Sequence, residues 1–222
     1  MSLKISSLEK LSTIDYPDKL ACVIFLKGCN FSCDFCYNKE LVVPEFFNTR
    51  KDMLESEIHY FLDRRKGQLE AVVLTGGEPT IYGQELIDFI KKIKEKGYLV
   101  KLDTNGSNPE VLEKIVSQNL VDYIAMDLKD DFDNYSEYTA VPVENIKRSF
   151  EIVKNAKTPH EFRITTHPDL TLSAFNKLVD LAKGHKIYVQ EFVNENTIKS
   201  YKNYKTIYSK LSKSDSRYIL RD

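Results

Sequence analysis

The sequence has no excess of charge of either sign. Its 222 residues carry 32 Lys and Arg against 33 Asp and Glu, a formal net charge of −1. A dedicated nucleic-acid binder shows a large basic excess, so this balance argues against that class. Long apolar runs are also missing. The longest is Leu20–Leu26, seven residues, far short of a membrane span. Met1–Lys10 holds no apolar stretch ahead of a small-residue cleavage site; no secretory signal is visible, and the cytoplasm is the expected compartment. Cysteine is scarce, and four in a chain of this length do not make a disulfide scaffold. In a reducing compartment, clustered cysteines point to metal binding or catalysis instead. No Ser/Gly/Pro-rich linker, composition break, repeat or low-complexity tract interrupts the chain, so residues 1–222 read as one domain.

What is present is ordinary globular material, 42% hydrophobic and 29% charged. Leu20–Leu26 is too short for a buried helix and rich in β-branched and aromatic residues, so it reads as a buried strand. Glu70–Leu74, Tyr98–Leu102, Tyr123–Met126, Glu161–Thr165 and Ile187–Phe192 look alike, which makes six strands. Between them lie stretches of helical period. Leu86, Ile87, Phe89, Ile90 and Ile93 share one face, as do Val111, Leu112, Ile115 and Val116, and later Phe175, Leu178, Val179 and Ala182. Each strand is followed by a helix candidate, and this alternation predicts an α/β fold with a mostly parallel sheet.

Four of the eight glycines, Gly28, Gly76, Gly77 and Gly106, fall just after a predicted strand. Ligands of parallel α/β folds bind at those strand ends. Glycine there either makes a plain turn or lets the backbone approach a ligand closely. After the first predicted strand, GCNFSCDFCYN places Cys29, Cys33 and Cys36 as C-x3-C-x2-C, within a cluster loop over residues 28–38. Three thiolates this close suit an iron–sulfur cluster. A [4Fe–4S] cluster held by three cysteines keeps one iron open for a substrate or cofactor. Cys22, inside the apolar strand, reads as core. A structural zinc site is the competing reading, but it wants a second ligand pair, and His59, His160, His167 and His185 show no such spacing.

The cysteine motif, with Phe35 before its last cysteine, resembles the radical S-adenosylmethionine (SAM) superfamily. Thr75-Gly76-Gly77-Glu78-Pro79 is similar to that superfamily's GGEP segment, associated with the methionine amino group. Thr13-Ile14-Asp15-Tyr16-Pro17, Asp103-Thr104-Asn105-Gly106 and Met126-Asp127-Leu128-Lys129 narrow the resemblance to activases of glycyl-radical enzymes, above all the anaerobic ribonucleoside-triphosphate reductase activating group. The resemblance implies a partial (β/α)6 TIM-like barrel. It implies Cys29, Cys33 and Cys36 as cluster ligands, and Gly76, Gly77, Glu78, Asp103, Asn105, Asp127, Lys129 and Arg163 around the cofactor. By likeness to pyruvate formate-lyase activase, Asp103 and Asp127 would also hold a monovalent cation. Each residue has a plain alternative: Asp103 a cap or turn, Asp127 and Lys129 an ion pair, Arg163 a buried structural ion. Gly77→Val is expected to fill the cofactor space and leave the cluster in place.

The implied reaction is reductive cleavage of SAM to a 5′-deoxyadenosyl radical, which removes hydrogen from a backbone glycine of a partner such as anaerobic ribonucleotide reductase. A flavodoxin- or ferredoxin-type donor would supply the electron, and neither nucleic acid nor membrane is an expected partner. The chain departs from the activases in having Tyr16-Pro17-Asp18 where many have Gly-Pro-Gly, and Tyr37 where histidine is common. It also lacks the cysteines of a ferredoxin-like insert. Two other readings stand beside this one: a small-molecule radical enzyme such as a 7-carboxy-7-deazaguanine synthase, and a non-catalytic iron–sulfur or zinc module. The C-terminal stretch from Lys199 carries seven Lys and Arg against two acids, interleaved with Tyr201, Tyr204, Tyr208 and Tyr218. Its spacing predicts a helix over about 197–213 that packs on the barrel, with a partner-docking arm or nucleic-acid patch as the alternative.

Overall fold

Every second side chain of a strand points to the same side, so a strand buried on both faces must satisfy two environments at once. The computed structural model, which describes residues 3–49, 51–195, 197–199 and 205–221, shows how this chain does so. Eight strands form one sheet whose order follows the sequence from edge to edge. They are β1 (Ile5–Ser12), β2 (Ala21–Leu26), β3 (Ala71–Gly76), β4 (Leu99–Thr104), β5 (Tyr123–Leu128), β6 (His160–Thr166), β7 (Ile187–Glu191) and β8 (Ile219–Arg221). β1 is antiparallel to β2, and all later pairs are parallel. Parallel neighbours require crossovers. These contain α1 (Lys39–Val42) and α2 (Glu55–Arg65) after β2, α3 (Gln84–Glu95) after β3, α4 (Pro109–Ser117) after β4, α5 (Val143–Lys154) after β5 and α6 (Leu172–Leu181) after β6.

One set of strand residues packs under the helices. Cys22 and Ile24 of β2, Val72 and Leu74 of β3, and Ile124 and Met126 of β5 share a core with the apolar stripes of α2 to α6. The alternate set faces inward. Val23, Ala71, Val73 and Tyr123 form a small second cluster there, closed by Tyr16 from the loop after β1. Strands β2 to β7 all contribute side chains to a single cavity, so the sheet is curled around it. Among the described residues β1 and β8 do not pair, and the barrel is open between them.

The six predicted strands are present, and α3, α4 and α6 carry the predicted stripes. Two strands exceed the prediction. β1 is a half-exposed edge whose polar residues hide its period, and β8 has three residues. Of the expected helix over 197–213, the described residues 205–213 do not form an α-helix. Among its described residues there is a single 3-10 turn, Tyr208–Lys210, while Tyr201 and Tyr204 lie outside the described residues. The aromatic residues pack one by one instead: Tyr208 Oη donates to the Arg221 carbonyl (3.0 Å), and the Tyr218 ring meets Phe175 of α6 edge-on.

β8 carries Arg221 back into the barrel. There Glu161 is fully buried, accepts from Tyr123 Oη (2.9 Å) and stands 3.5 Å from an Arg221 guanidinium nitrogen. The guanidinium lies over the Tyr188 ring at 3.8 Å. Arg221→Ala strips a buried carboxylate of its cation. It is expected to lower the unfolding free energy by about 1–3 kcal/mol, read as a shift in urea midpoint. The double variant Arg221→Ala/Glu161→Gln should recover much of the loss, because the uncompensated charge is gone.

Candidate functional site

The carboxyl ends of the parallel strands converge on a cavity of about 290 Å³. Cys29, Cys33 and Cys36 from the loop after β2 all line it. Cys22 does not: it is fully buried in the outer core, on the opposite face of β2. All four thiols are free.

The cluster loop is tied to every neighbouring turn. Ser32 N–H donates to the Tyr138 carbonyl (2.8 Å), and Thr139 Oγ1 to the Asn30 carbonyl (2.7 Å), both from the segment after β5. Phe35 stacks on His167, the residue after β6, with centroids 4.1 Å apart and planes within 4°. His167 is in turn fixed by Nε2, 2.9 Å from the Lys129 carbonyl. Tyr37 Oη accepts from Val193 N–H (2.8 Å), just beyond β7. That bond gives the tyrosine at this position a role in the present chain: it anchors the loop to the exit of β7.

Burial pushes the Cys29 thiol up to about 12, with the nearby Glu78 carboxylate acting in the same direction. Burial likewise raises Cys33 to about 11, against the pull of the Lys129 ammonium. Cys36 is also raised, first by burial. Burial thus disfavours the thiolate form at all three positions, which makes these thiols poor nucleophiles.

The two glycines after β3 are pressed against the start of this loop. A Cβ on Gly77 would lie 1.9 Å from the Gly28 carbonyl oxygen, and one on Gly76 2.3 Å from that of Leu26. The backbone is sealed there by Gly77 N–H to Leu26 O and Glu78 N–H to Gly28 O, both 2.8 Å. The expectation that a Gly77 side chain would intrude on cofactor space alone is corrected: it meets the backbone of the residue before Cys29. Glu78 is 1% exposed, lines the cavity and has both carboxylate oxygens engaged by the chain. One oxygen accepts from Thr80 N–H, Thr80 Oγ1 and Thr104 Oγ1, the other from Asn105 N–H at 2.6 Å. It ties the turn after β3 to the turn after β4.

Inside the barrel, five charged side chains form an alternating ladder. Lys101 Nζ is 2.9 Å from Asp103 Oδ1, and Arg163 Nη1 is 2.8 Å from Asp103 Oδ2. Arg163 Nε is 2.7 Å from Asp127 Oδ1, and Lys129 Nζ is 2.9 Å from Asp127 Oδ2. Burial alone would raise both carboxylates, but Arg163, with Lys101 for Asp103 and Lys129 for Asp127, outweighs it and holds both below the usual range. Every oxygen of the two aspartates therefore faces a cation of the chain itself. Both aspartates of the expected monovalent-cation site line the cavity, with their carboxylates paired to these cations of the chain. Lys101 is the residue that sequence reasoning passed over. Its signal is a lysine within an apolar strand, two positions before Asp103 and hence on the same face.

Residues 23–182 match the sequence model of the Radical SAM superfamily. The chain belongs to that superfamily. A radical SAM relative that carries the name of a glycyl-radical enzyme activating enzyme, from Methanocaldococcus jannaschii, is 34% identical over 86% of this chain and 67% of its own length. A pyruvate formate-lyase-activating enzyme of Clostridium pasteurianum is 28% identical over 82% of this chain and 76% of its own. A 7-carboxy-7-deazaguanine synthase of Thermococcus kodakarensis is 26% identical, with coverages of 71% and 68%. The solved structure of Streptococcus suis SuiB bound to the precursor peptide SuiA shares the fold: TM-score 0.57 and 18% identity over 81% of this chain and 42% of that one.

The radical SAM superfamily uses a [4Fe–4S] cluster and SAM. The donor set present fits the cluster. Three thiols from one tethered loop open on one cavity, and the remaining cysteine of the sequence is turned away. Among the described residues no three Cys, His, Asp or Glu side chains are gathered closely enough to hold a metal ion as they stand.

Two expectations follow. Gly77→Ala overlaps backbone, so it should destabilise the chain by about 3 kcal/mol and lower iron content together with cofactor binding. Retention of full iron with loss of SAM binding alone would contradict the packing. Iron binding must also displace protons from thiols whose pKa values are raised. In-vitro cluster assembly should therefore speed up from about pH 7 to 9 and release protons, measurable by the visible absorption of the cluster and by a pH indicator.

Proposed function

We propose that this protein is an activating enzyme that uses SAM to place a glycyl radical on a separate enzyme. The observation that carries the reading is the 34% identity, across two-thirds of its length, to a protein named for that activity. When bound and reduced, the cluster supplies the electron that splits SAM into methionine and a 5′-deoxyadenosyl radical, which removes a hydrogen atom from the substrate.

The chain's own contribution is to bind, orient and exclude. Cys29, Cys33 and Cys36 would hold the cluster by three of its irons, which would leave the fourth for SAM. Gly76 and Gly77 bring main chain to the cavity wall. Glu78 keeps that turn in register with Asn105. Lys129 and Arg163, half-buried on the cavity and oriented by Asp103 and Asp127, present positive charge to the methionine carboxylate. A backbone glycine substrate would need an opening to the cavity, and the unpaired edges β1 and β8 mark the open side of the sheet. The electron comes from a flavodoxin- or ferredoxin-type protein, and anaerobic ribonucleotide reductase is the favoured partner.

The test is electron paramagnetic resonance without oxygen. Reduced, iron-loaded protein is mixed with SAM and the glycyl-radical enzyme of the same genome. A doublet that vanishes when the partner's radical-site glycine is replaced by alanine is the expected outcome. Absence of any protein radical, together with turnover of a small molecule, would transfer the assignment to a deazaguanine-synthase type of activity.

A further inference from the structure

The turn after β4 touches a cluster cysteine directly. Asn105 is 5% exposed. Its backbone N–H is committed to Glu78 Oε2 at 2.6 Å. Its side-chain Oδ1 accepts from Ser107 N–H at 2.9 Å. Only an amide oxygen can take that bond, so the orientation of the amide is determined and its NH2 faces the other way. There Nδ2 finds Asn30 Oδ1 at 3.1 Å and Cys29 Sγ at 3.8 Å, the latter at the long end for a donor to sulfur. Two amide protons thus have two acceptors. Asn30 Oδ1 is itself steadied by Ser107 Oγ at 3.1 Å. The Cys29 sulfur also accepts from Phe31 N–H at 3.4 Å.

We propose that the Asn105 amide donates a hydrogen bond to the Cys29 sulfur and thereby raises the reduction potential of the cluster that Cys29 ligates. The inference rests on the cluster reading of the cysteine loop. Reduction adds one electron that is shared by iron and sulfur. An N–H dipole aimed at the sulfur therefore stabilises the reduced form more than the oxidised one, and hydrogen bonds to sulfur are among the controls on such potentials. Burial strengthens the effect, because little water is present to screen the dipole. Asn105 acts through Cys29 and is a positioning residue. Glu78 takes part indirectly, since it holds the Asn105 backbone, and the two neighbouring turns together set the electronic state of the third.

The experiment is a redox titration of iron-loaded protein, followed by electron paramagnetic resonance, for the wild type, Asn105→Ala, Asn105→Asp and Ser107→Ala. Asn105→Ala should keep its iron and shift to a more negative midpoint. A tenfold lower ratio of reduced to oxidised cluster at fixed potential corresponds to about 59 mV for one electron. Asn105→Asp should shift further, since it replaces a donor by a negative charge. Ser107→Ala keeps the backbone N–H that orients the amide and should leave the midpoint in place. Full iron content with unchanged midpoints in both Asn105 variants overturns the proposal and leaves the cluster reading intact. A wild-type protein that takes up no iron overturns the cluster reading itself. If the Asn105 variants lose iron, the wild type decides. With asparagine labelled with 15N at the side-chain amide, pulsed resonance of the reduced cluster should show a nitrogen coupling, and its absence overturns the proposal.

Discussion

The ladder Lys101–Asp103–Arg163–Asp127–Lys129 is the constraint on which the interior of this barrel depends. Five ionisable side chains stand where other barrels of this kind keep apolar layers. Leaving any one of them uncompensated would cost several kcal/mol. The sheet register solves this. Asp127 and Arg163 are direct neighbours in the β5–β6 pairing, and Lys101 and Asp103 share the inward face of β4. Arg163 then reaches across β5 to Asp103, which stitches three strands together through one guanidinium. Arginine suits that position because its fork presents separate N–H groups to two carboxylates.

The ladder also has a direction. It contains three cations and two anions, and its last member, Lys129, faces the cysteine loop, where its charge lowers the Cys33 and Cys36 thiols against the effect of burial. Lys129 thus places positive charge beside the cysteine loop. The small apolar plug of Tyr16, Val23, Val73 and Tyr123 belongs to the same interior. The inner face thus grades from apolar residues to charged ones to the open cavity.

Around the cavity, precision comes from contact between turns rather than from any one turn. Gly77 lies against Gly28, Glu78 holds Asn105, Asn105 touches Cys29, and His167 stacks on Phe35. Each pair joins residues far apart in sequence. This explains why a glycine that lines the cavity is a packing residue of the cysteine loop, and why a buried glutamate that faces the cofactor space works as a tie.

Much was legible in the sequence because it is local. The six inner strands follow from apolar runs, three helices from stripes of period 3.6, and the cysteine loop from spacing alone. Lys129 and Asp127, two apart at the end of β5, already suggested an ion pair. Neither edge strand was legible: β1 is paired on one side only and tolerates polar residues, and β8 is too short to show a period. At the described C-terminal residues, Tyr208 and Tyr218 are placed by tertiary contacts rather than by a helical stripe. The partners of Asp103, Asp127, Glu78 and Asn105 were decided by the tertiary structure, because they depend on register between strands and on the approach of residues 27 to 76 positions apart. Sequence determined which groups could meet at the strand ends. The curl of the sheet determined which of them close on one another and which remain turned to the cavity, since a buried charge takes the nearest counter-charge that the register supplies.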